Sequence, residues 1–254
     1  MWVDERLRRI LDALDDAGRV EAEAIAAELG VSRETVRRDL MELERHGRLK
    51  RVHGGAVRGD TPPEPPFSTR LQVQMDAKRN IAAAAFKLIK PGSSCFIDAG
   101  TTTAAFAMEL ASLPDLYVIT NSLEVAMVLR ASPNKIDVVL LGGRVIKDVP
   151  AVHGEMTIEE IGRHRADIAL LSPVGLDPSA GMTYHALSEA ATAKAMIRNA
   201  ASLMVLADHT KLGQISRTVV CPCEKLDVLV CDADEASLAP YKRAGVGQVV
   251  SALV

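Results

Sequence analysis

The stretch "GVSRETVRRDL", residues 30–40, sets three arginines among helix formers directly after a Gly-Val-Ser turn. A surface helix needs charge only to stay hydrated. Here Gly30 permits a tight turn, Ser32 is a good N-cap, and Thr35 also falls in the first turn. A helix over 33–45 turns Val36, Leu40 and Leu43 to a core and leaves Arg33, Thr35, Arg37 and Arg38 toward the exposed side. Upstream, Leu7, Ile10, Leu11 and Leu14 have the i, i+3, i+4, i+7 spacing of one helical face, and Gly18 ends that helix. Residues 22–29 form a short Ala-rich helix with Ile25 and Leu29 inward, and Val31 fills the space between helices. A short helix, a tight turn and an Arg-bearing second helix spell a helix-turn-helix. The N-terminal end of such a second helix enters the major groove.

Downstream, "GRLKRVHGGAV", residues 47–57, reads as two short strands around His53-Gly54-Gly55, the wing of a winged helix. Backbone contacts position a protein on DNA, and side chains on the recognition helix specify the sequence. Arginine pairs bidentately with guanine, while Ser and Thr reach either base type or phosphate. The candidate contacts to double-stranded operator DNA are therefore Ser32, Arg33, Thr35, Arg37 and Arg38 on the helix, with Arg48, Lys50, Arg51 and His53 on the wing. The net charge of −3 conceals an asymmetry. Residues 1–32 hold 4 Arg against 8 acidic residues (−4), whereas 33–58 hold 8 Lys/Arg against 4 (+4). A local basic patch matters more for nucleic acid than the global sum.

Residues 58–75, "RGDTPPEPPFSTRLQVQM", carry four prolines and read as a semi-rigid, polyproline-like linker. From about Asp76 short apolar runs such as "SCFIDAG", "LYVIT", "IDVVLLGG", "DIALLSPVG" and "LMVLAD" alternate with helical stretches. "TVVC", "DVLVCD" and "QVVSAL" follow as further strands. Near-continuous apolar strands separated by helices indicate a mostly parallel sheet covered on both faces. The expected class is α/β: a small winged helix-turn-helix at 1–57, the linker, and a larger, mostly parallel α/β domain at 76–254.

In an open α/β sheet, ligands bind outside the carboxyl ends of the strands. Three such ends are polar. Asp98-Ala99-Gly100-Thr101-Thr102-Thr103 opens a helix and suits an anion such as phosphate. Thr120-Asn121-Ser122 is the second, and Asp208-His209-Thr210-Lys211 the third, where Lys211 offers a mobile cation. Asp98, Gly100, Thr101, Thr102, Thr103, Asn121, Ser122, Asp208 and Lys211 are the candidate binding residues on these edges.

Composition narrows the alternatives. Aromatics at 3% leave the core to Ala, Val, Leu and Ile and argue against base-stacking platforms for single strands. No 18-residue apolar run indicates a membrane span, and no apolar stretch of signal-peptide type follows residues 1–9, so a cytoplasmic protein without membrane partner is expected. Cys221-Pro-Cys223 is half a metal motif with no matching pair, so no metal is expected and the thiols read as reduced and buried.

The run from Arg6 to Val57, above all "ELGVSRETVRRDLMELERHGRLKRVHGGAV", resembles the N-terminal domain of DeoR-type bacterial transcription regulators. Phe67, Arg70, Lys78, Ile81 and Ala82, and the motifs "IDAGTTT", "VITNS", "LLGG" and "LADHTK", are similar to that family's effector domain. The resemblance implies a repressor of sugar or polyol metabolism genes, working as a dimer or tetramer. Its effector domain would look like a sugar-phosphate isomerase and sense a phosphorylated sugar or polyol, with no other cofactor. By that analogy residues 100–103 and Lys211 hold the effector and Glu189 bonds its hydroxyls. The alternative is a phosphosugar isomerase with an accessory DNA-binding domain. The chain departs from the family pattern at Ala186, where Asp is frequent, near Val145, and at Ser172-Pro173-Val174. Tyr184 and His185 either line the altered pocket or, as the favoured expectation, lie in a surface loop.

Overall fold

A computed structural model describes residues 3–17, 19–45, 48–52, 54–58, 65–147 and 149–253. The chain divides into two compact units, Met1–Pro63 and Glu64–Val254.

In the first unit the chain runs α1 (Val3–Ala17), β1 (Arg19–Glu21), α2 (Ala22–Leu29), α3 (Arg33–Arg45), β2 (Leu49–Val52) and β3 (Gly55–Arg58). Ile10, Leu14, Ile25, Leu29, Val36, Leu40 and Leu43 share one core, with Val31 packed partly buried against it. The helices form because each brings an apolar stripe to this core. Gly30 ends α2 at φ +64, its N–H donating to Ala26 O, a left-handed cap that glycine adopts without a Cβ penalty. The Ser32 hydroxyl oxygen then accepts from the Thr35 N–H at 3.1 Å, capping α3. Arg6 grips Asp39 through two bonds, Nε to Oδ2 at 2.5 Å and Nη2 to Oδ1 at 2.8 Å, tying α1 to α3.

The wing hairpin is present, and it gains a third strand that periodicity did not reveal. β1 pairs antiparallel with β3, giving the order β1-β3-β2. A Cβ on Gly55 would lie 2.0 Å from Val20 O, so this approach requires glycine. Gly18 and His53 fall outside the described residues.

The second unit opens with α4 (Phe67–Gln72) and α5 (Met75–Phe86), then β4 (Ser94–Ile97), α6 (Thr101–Leu110), β5 (Leu116–Thr120), α7 (Leu123–Arg130) and β6 (Ile136–Leu140). A small hairpin, β7 (Arg144–Val145) and β8 (Val152–His153), leads to α8 (Glu155–Ile161), β9 (Ala166–Leu171), β10 (Gly175–Asp177) and β11 (Gly181–Tyr184). The chain ends with α9 (Leu187–Arg198), β12 (Ala200–Ala207), β13 (Thr218–Cys221), β14 (Val228–Cys231), α10 (Glu235–Arg243) and β15 (Gln248–Ser251). α4 corrects the expectation of a polyproline-like linker through 75: Phe67 is buried and anchors a helical turn immediately after Pro65-Pro66. Residues 59–64 of that stretch lie outside the described residues.

Seven strands form one parallel sheet in the order β15-β14-β12-β9-β4-β5-β6. Alternation along β12 divides two cores. Leu203, Val205 and Ala207 join Ile161, Ala193 and Leu238 on the face covered by α8, α9 and α10. Met204 and Leu206 join Ile81, Phe106 and Val125 on the face covered by α5, α6 and α7. "TVVC" does not enter the main sheet; β13 pairs antiparallel in a separate one, β10-β11-β13. The four cysteines are free and buried. Desolvation pushes the Cys95 thiol up to about 12, Cys221 and Cys223 each to about 11, and Cys231 upward as well.

Candidate functional site

On α3, Ser32, Arg33, Arg37 and Arg38 are exposed and Thr35 is half-buried. The Ser32 and Thr35 hydroxyls lie 2.8 Å apart and are engaged with each other in the cap. Arg33 pairs with Glu23 of α2, and Arg38 lies 3.6 Å from Glu34 one turn earlier. Exposed pairs of this kind contribute little, so either arginine can be given up to a phosphate cheaply. Among the described residues Arg37 makes no ion pair. On the wing Lys50 is exposed and Arg48 half-buried. Arg51 is more committed: its Nε donates to Glu44 Oε2 at 2.6 Å and its backbone N–H to Oε1 at 2.9 Å. Those bonds hold the Glu44 carboxyl below its usual range. His53 lies outside the described residues.

The second unit contains a cavity of about 160 Å³. Its position follows from strand order. β4, β5 and β6 proceed toward one edge of the sheet, whereas β9, β12, β14 and β15 proceed toward the other. The reversal between β4 and β9 is the switch point at which diverging loops leave a crevice. The cavity lies there, walled by residues 98–102 after β4, 172–174 after β9, and Asp208, Thr210 and Lys211 after β12. A Cβ on Gly100 would lie 3.2 Å from the Ser172 side chain, so the bare backbone lets the two strand ends close up. Tyr184, Glu189, His153 and Val149 also line the cavity, together with Pro65, Arg70, Val73, Gln74 and Lys78 from the start of the unit.

Asp98, Gly100, Thr101, Thr102, Asp208 and Lys211 at the strand ends and Glu189 in the first turn of α9 line one cavity. Three expected residues do not reach its wall. Thr103 is fully buried, and its hydroxyl donates to Asp98 O at 2.7 Å and Gly100 O at 3.0 Å. Ser122 accepts from Val125 N and caps α7. Asn121 is covered because the β7–β8 hairpin lies over the end of β5, with Val152 N donating to Asn121 O at 2.9 Å. The Asn121 amide lies near the Asp98 carboxyl, yet neither of its side-chain polar atoms has a well-formed partner.

Tyr184 corrects the surface-loop expectation. It stands on β11, buried, and its hydroxyl donates to Asp98 Oδ2 at 2.9 Å. Asp98 Oδ1 accepts from the Ala99 N–H at 2.8 Å. Burial raises the Asp98 pKa against the pull of His153 and these donors, and burial lowers that of His153 against the pull of Asp98. Both groups are thus biased toward neutral forms. The Thr192 hydroxyl donates to Ser188 O, so His153 Nδ1, 3.1 Å from Thr192 Oγ1, is assigned as the protonated nitrogen. After β12, Asp208 accepts from the Thr210 N–H. His209 is pinned to Asp232 by its backbone N–H and Nδ1, both at 2.7 Å. His185 is half-buried and does not line the cavity.

A winged helix-turn-helix followed by an α/β unit with a polar cavity at its switch point defines a DNA-binding regulator with a sensor domain. The comparisons agree. Residues 6–61 match the DeoR-like helix-turn-helix domain and residues 73–233 the DeoR C terminal sensor domain. The chain belongs to the DeoR family of transcriptional regulators. It is similar to the HTH-type transcriptional repressor GlcR of Bacillus subtilis, 35% identical over 91% of this chain and 89% of that one. The HTH-type transcriptional regulator GolR of Listeria innocua is 32% identical over 96% and 95%. The glycerol-3-phosphate regulon repressor of Escherichia coli is 30% identical over 90% of each chain. Among solved structures, ribose 5-phosphate isomerase A of Methanocaldococcus jannaschii overlays 54% of each chain at 21% identity and a TM-score of 0.40. Among the described residues no helix is long and apolar enough to cross a membrane.

Proposed function

We propose that this regulator is a cytoplasmic repressor of sugar or polyol metabolism genes, and that a phosphorylated sugar or polyol in the switch-point cavity controls its hold on operator DNA. The observation that carries this reading is the convergence of the Gly100–Thr102 backbone and Lys211 with Glu189 and Asp208 around one small cavity. Backbone amides at a helix start and an ammonium suit an anion, and the carboxylates suit hydroxyl donors. The names of relatives support the ligand class, since one is a glycerol-3-phosphate regulon repressor.

The reading is a sensor rather than a catalyst. The alternative needs a general base within reach of a substrate proton, for which Glu189 on the cavity wall is the candidate; the sensor is favoured because the relatives are named as transcriptional repressors and regulators. An effector changes occupancy of DNA only by binding the DNA-competent and incompetent states with different affinity. As a dimer or tetramer, the protein would set two recognition helices ~34–36 Å apart.

The test is operator binding by fluorescence anisotropy with phosphorylated sugars and polyols against their unphosphorylated parents. The expected outcome is operator release by a phosphorylated compound alone, with no turnover of it. Isomerisation of the compound would move the assignment to an enzyme, and operator affinity indifferent to every phosphorylated compound would remove the sensor reading.

A further inference from the structure

The outer side of α3 holds more than arginines. Val36, Leu40 and Leu43 turn to the core, while Glu34, Arg37, Arg38 and Met41 are exposed. At 3.6 residues per turn these four positions, spaced i, i+3, i+4 and i+7, fall within an arc of about 100° facing away from that core. A recognition helix seated in the major groove reads base edges from positions with this spacing. Glu34 and Arg38 pair across one turn at 3.6 Å.

Met41 is the one apolar member of the row, and it is 53% exposed. Its side chain therefore contributes little to the fold. One turn further on stands Glu44, whose carboxylate is held by Arg51 of β2 through Nε at 2.6 Å and the backbone N–H at 2.9 Å. Met41 lies between Arg37 and this anchor of the wing, inside the span of α3 that a duplex touching both must cover. The chemistry of the groove then chooses its partner. Guanine, cytosine and adenine present only hydrogen-bond donors and acceptors there, whereas thymine adds a C5-methyl, the single apolar group in the major groove. A flexible thioether with no donor of its own matches that group and none of the others.

We propose that Met41 is a specificity-determining residue that packs its thioether on a thymine C5-methyl, so that each recognition helix reads one thymine by apolar contact beside the hydrogen bonds of its arginines. Met41 lies four residues beyond Arg37, about 6 Å along the helix axis. The thymine accordingly lies about two base pairs from the pair that Arg37 faces. The inference deepens the DNA-binding reading of α3 and is independent of the effector cavity.

The experiment uses the full chain and a duplex that it selects from a random-sequence pool. Deoxyuridine replaces each thymine in turn, which removes the methyl and leaves the donors and acceptors of the base edge in place. Fluorescence anisotropy gives the affinity of the native protein, Met41→Ala and Met41→Leu for every duplex. We expect a thymine position at which deoxyuridine weakens native binding about fourfold, the contribution of one buried methyl group. At that position Met41→Ala binds thymine and deoxyuridine equally, and Met41→Leu still distinguishes them. A native protein indifferent to deoxyuridine at every position overturns the proposal without any variant. Met41→Ala discriminating as the native protein does overturns it as well, and either result leaves sequence-selective binding by α3 standing. A pool that yields no preferred duplex would end the base-reading role of the whole helix.

Discussion

The single hydroxyl hydrogen of Tyr184 goes to Asp98, a carboxyl that is 1% exposed. Removing one partner of a buried bond costs the desolvation of the group left behind. Tyr184→Phe is expected to lower stability by about 1–3 kcal/mol, read from the denaturant midpoint of the intact chain. A midpoint equal to the native one would mean that Asp98 is neutral and self-sufficient without its donor. Both residues sit where the fold brings distant segments together, which is why one was legible in the sequence and the other was not. Asp98 ends an apolar strand and opens a helix, a local signature. Tyr184 is placed by the pairing of β11 with β13, a contact across more than thirty residues, and neighbouring residues carry no trace of it. The same limit applies to Thr103 and Ser122. Their hydroxyls match a ligand-binding pattern, but Ser122 accepts from Val125 N to cap α7 and Thr103 donates to the Asp98 and Gly100 carbonyls.

At the scale of elements, the α2–α3 turn depends on one glycine. Nothing lies within 4 Å of a Cβ added to Gly30. Gly30→Ala therefore tests conformation without a clash, and it should destabilise the DNA-binding unit by about 1–2 kcal/mol through the left-handed backbone alone, measured by thermal melting. No loss of melting temperature would show that the turn relaxes into another geometry. The helices of this unit and all seven parallel strands were legible because each carries an apolar stripe or run. β1 was not, since three residues show no period and Val20 is its only buried position. α4 was not, since Pro62, Pro63, Pro65 and Pro66 precede it and dominate the composition. A proline run sets a helix start as readily as a linker, and the burial of Phe67 decides between them.

For the whole molecule, affinity for DNA and choice of site separate. The basic excess over 33–58 acts on any duplex and weakens with salt, whereas specificity requires side chains at base edges. Arg37 is exposed on α3 and makes no ion pair among the described residues. Arg37→Ala should cost about 1–3 kcal/mol on the cognate operator and little on random DNA. An equal loss on both, at matched ionic strength, would place Arg37 on phosphate. The cysteines carry a different consequence. With all four thiols interred and shifted toward protonation, almost no thiolate meets an electrophile at neutral pH. Alkylation of Cys95 on β4 and Cys231 on β14 must wait for the main sheet to open, so the rate at which iodoacetamide consumes these two side chains is a clock for spontaneous unfolding, and a bound effector that stabilises the sensor will slow it.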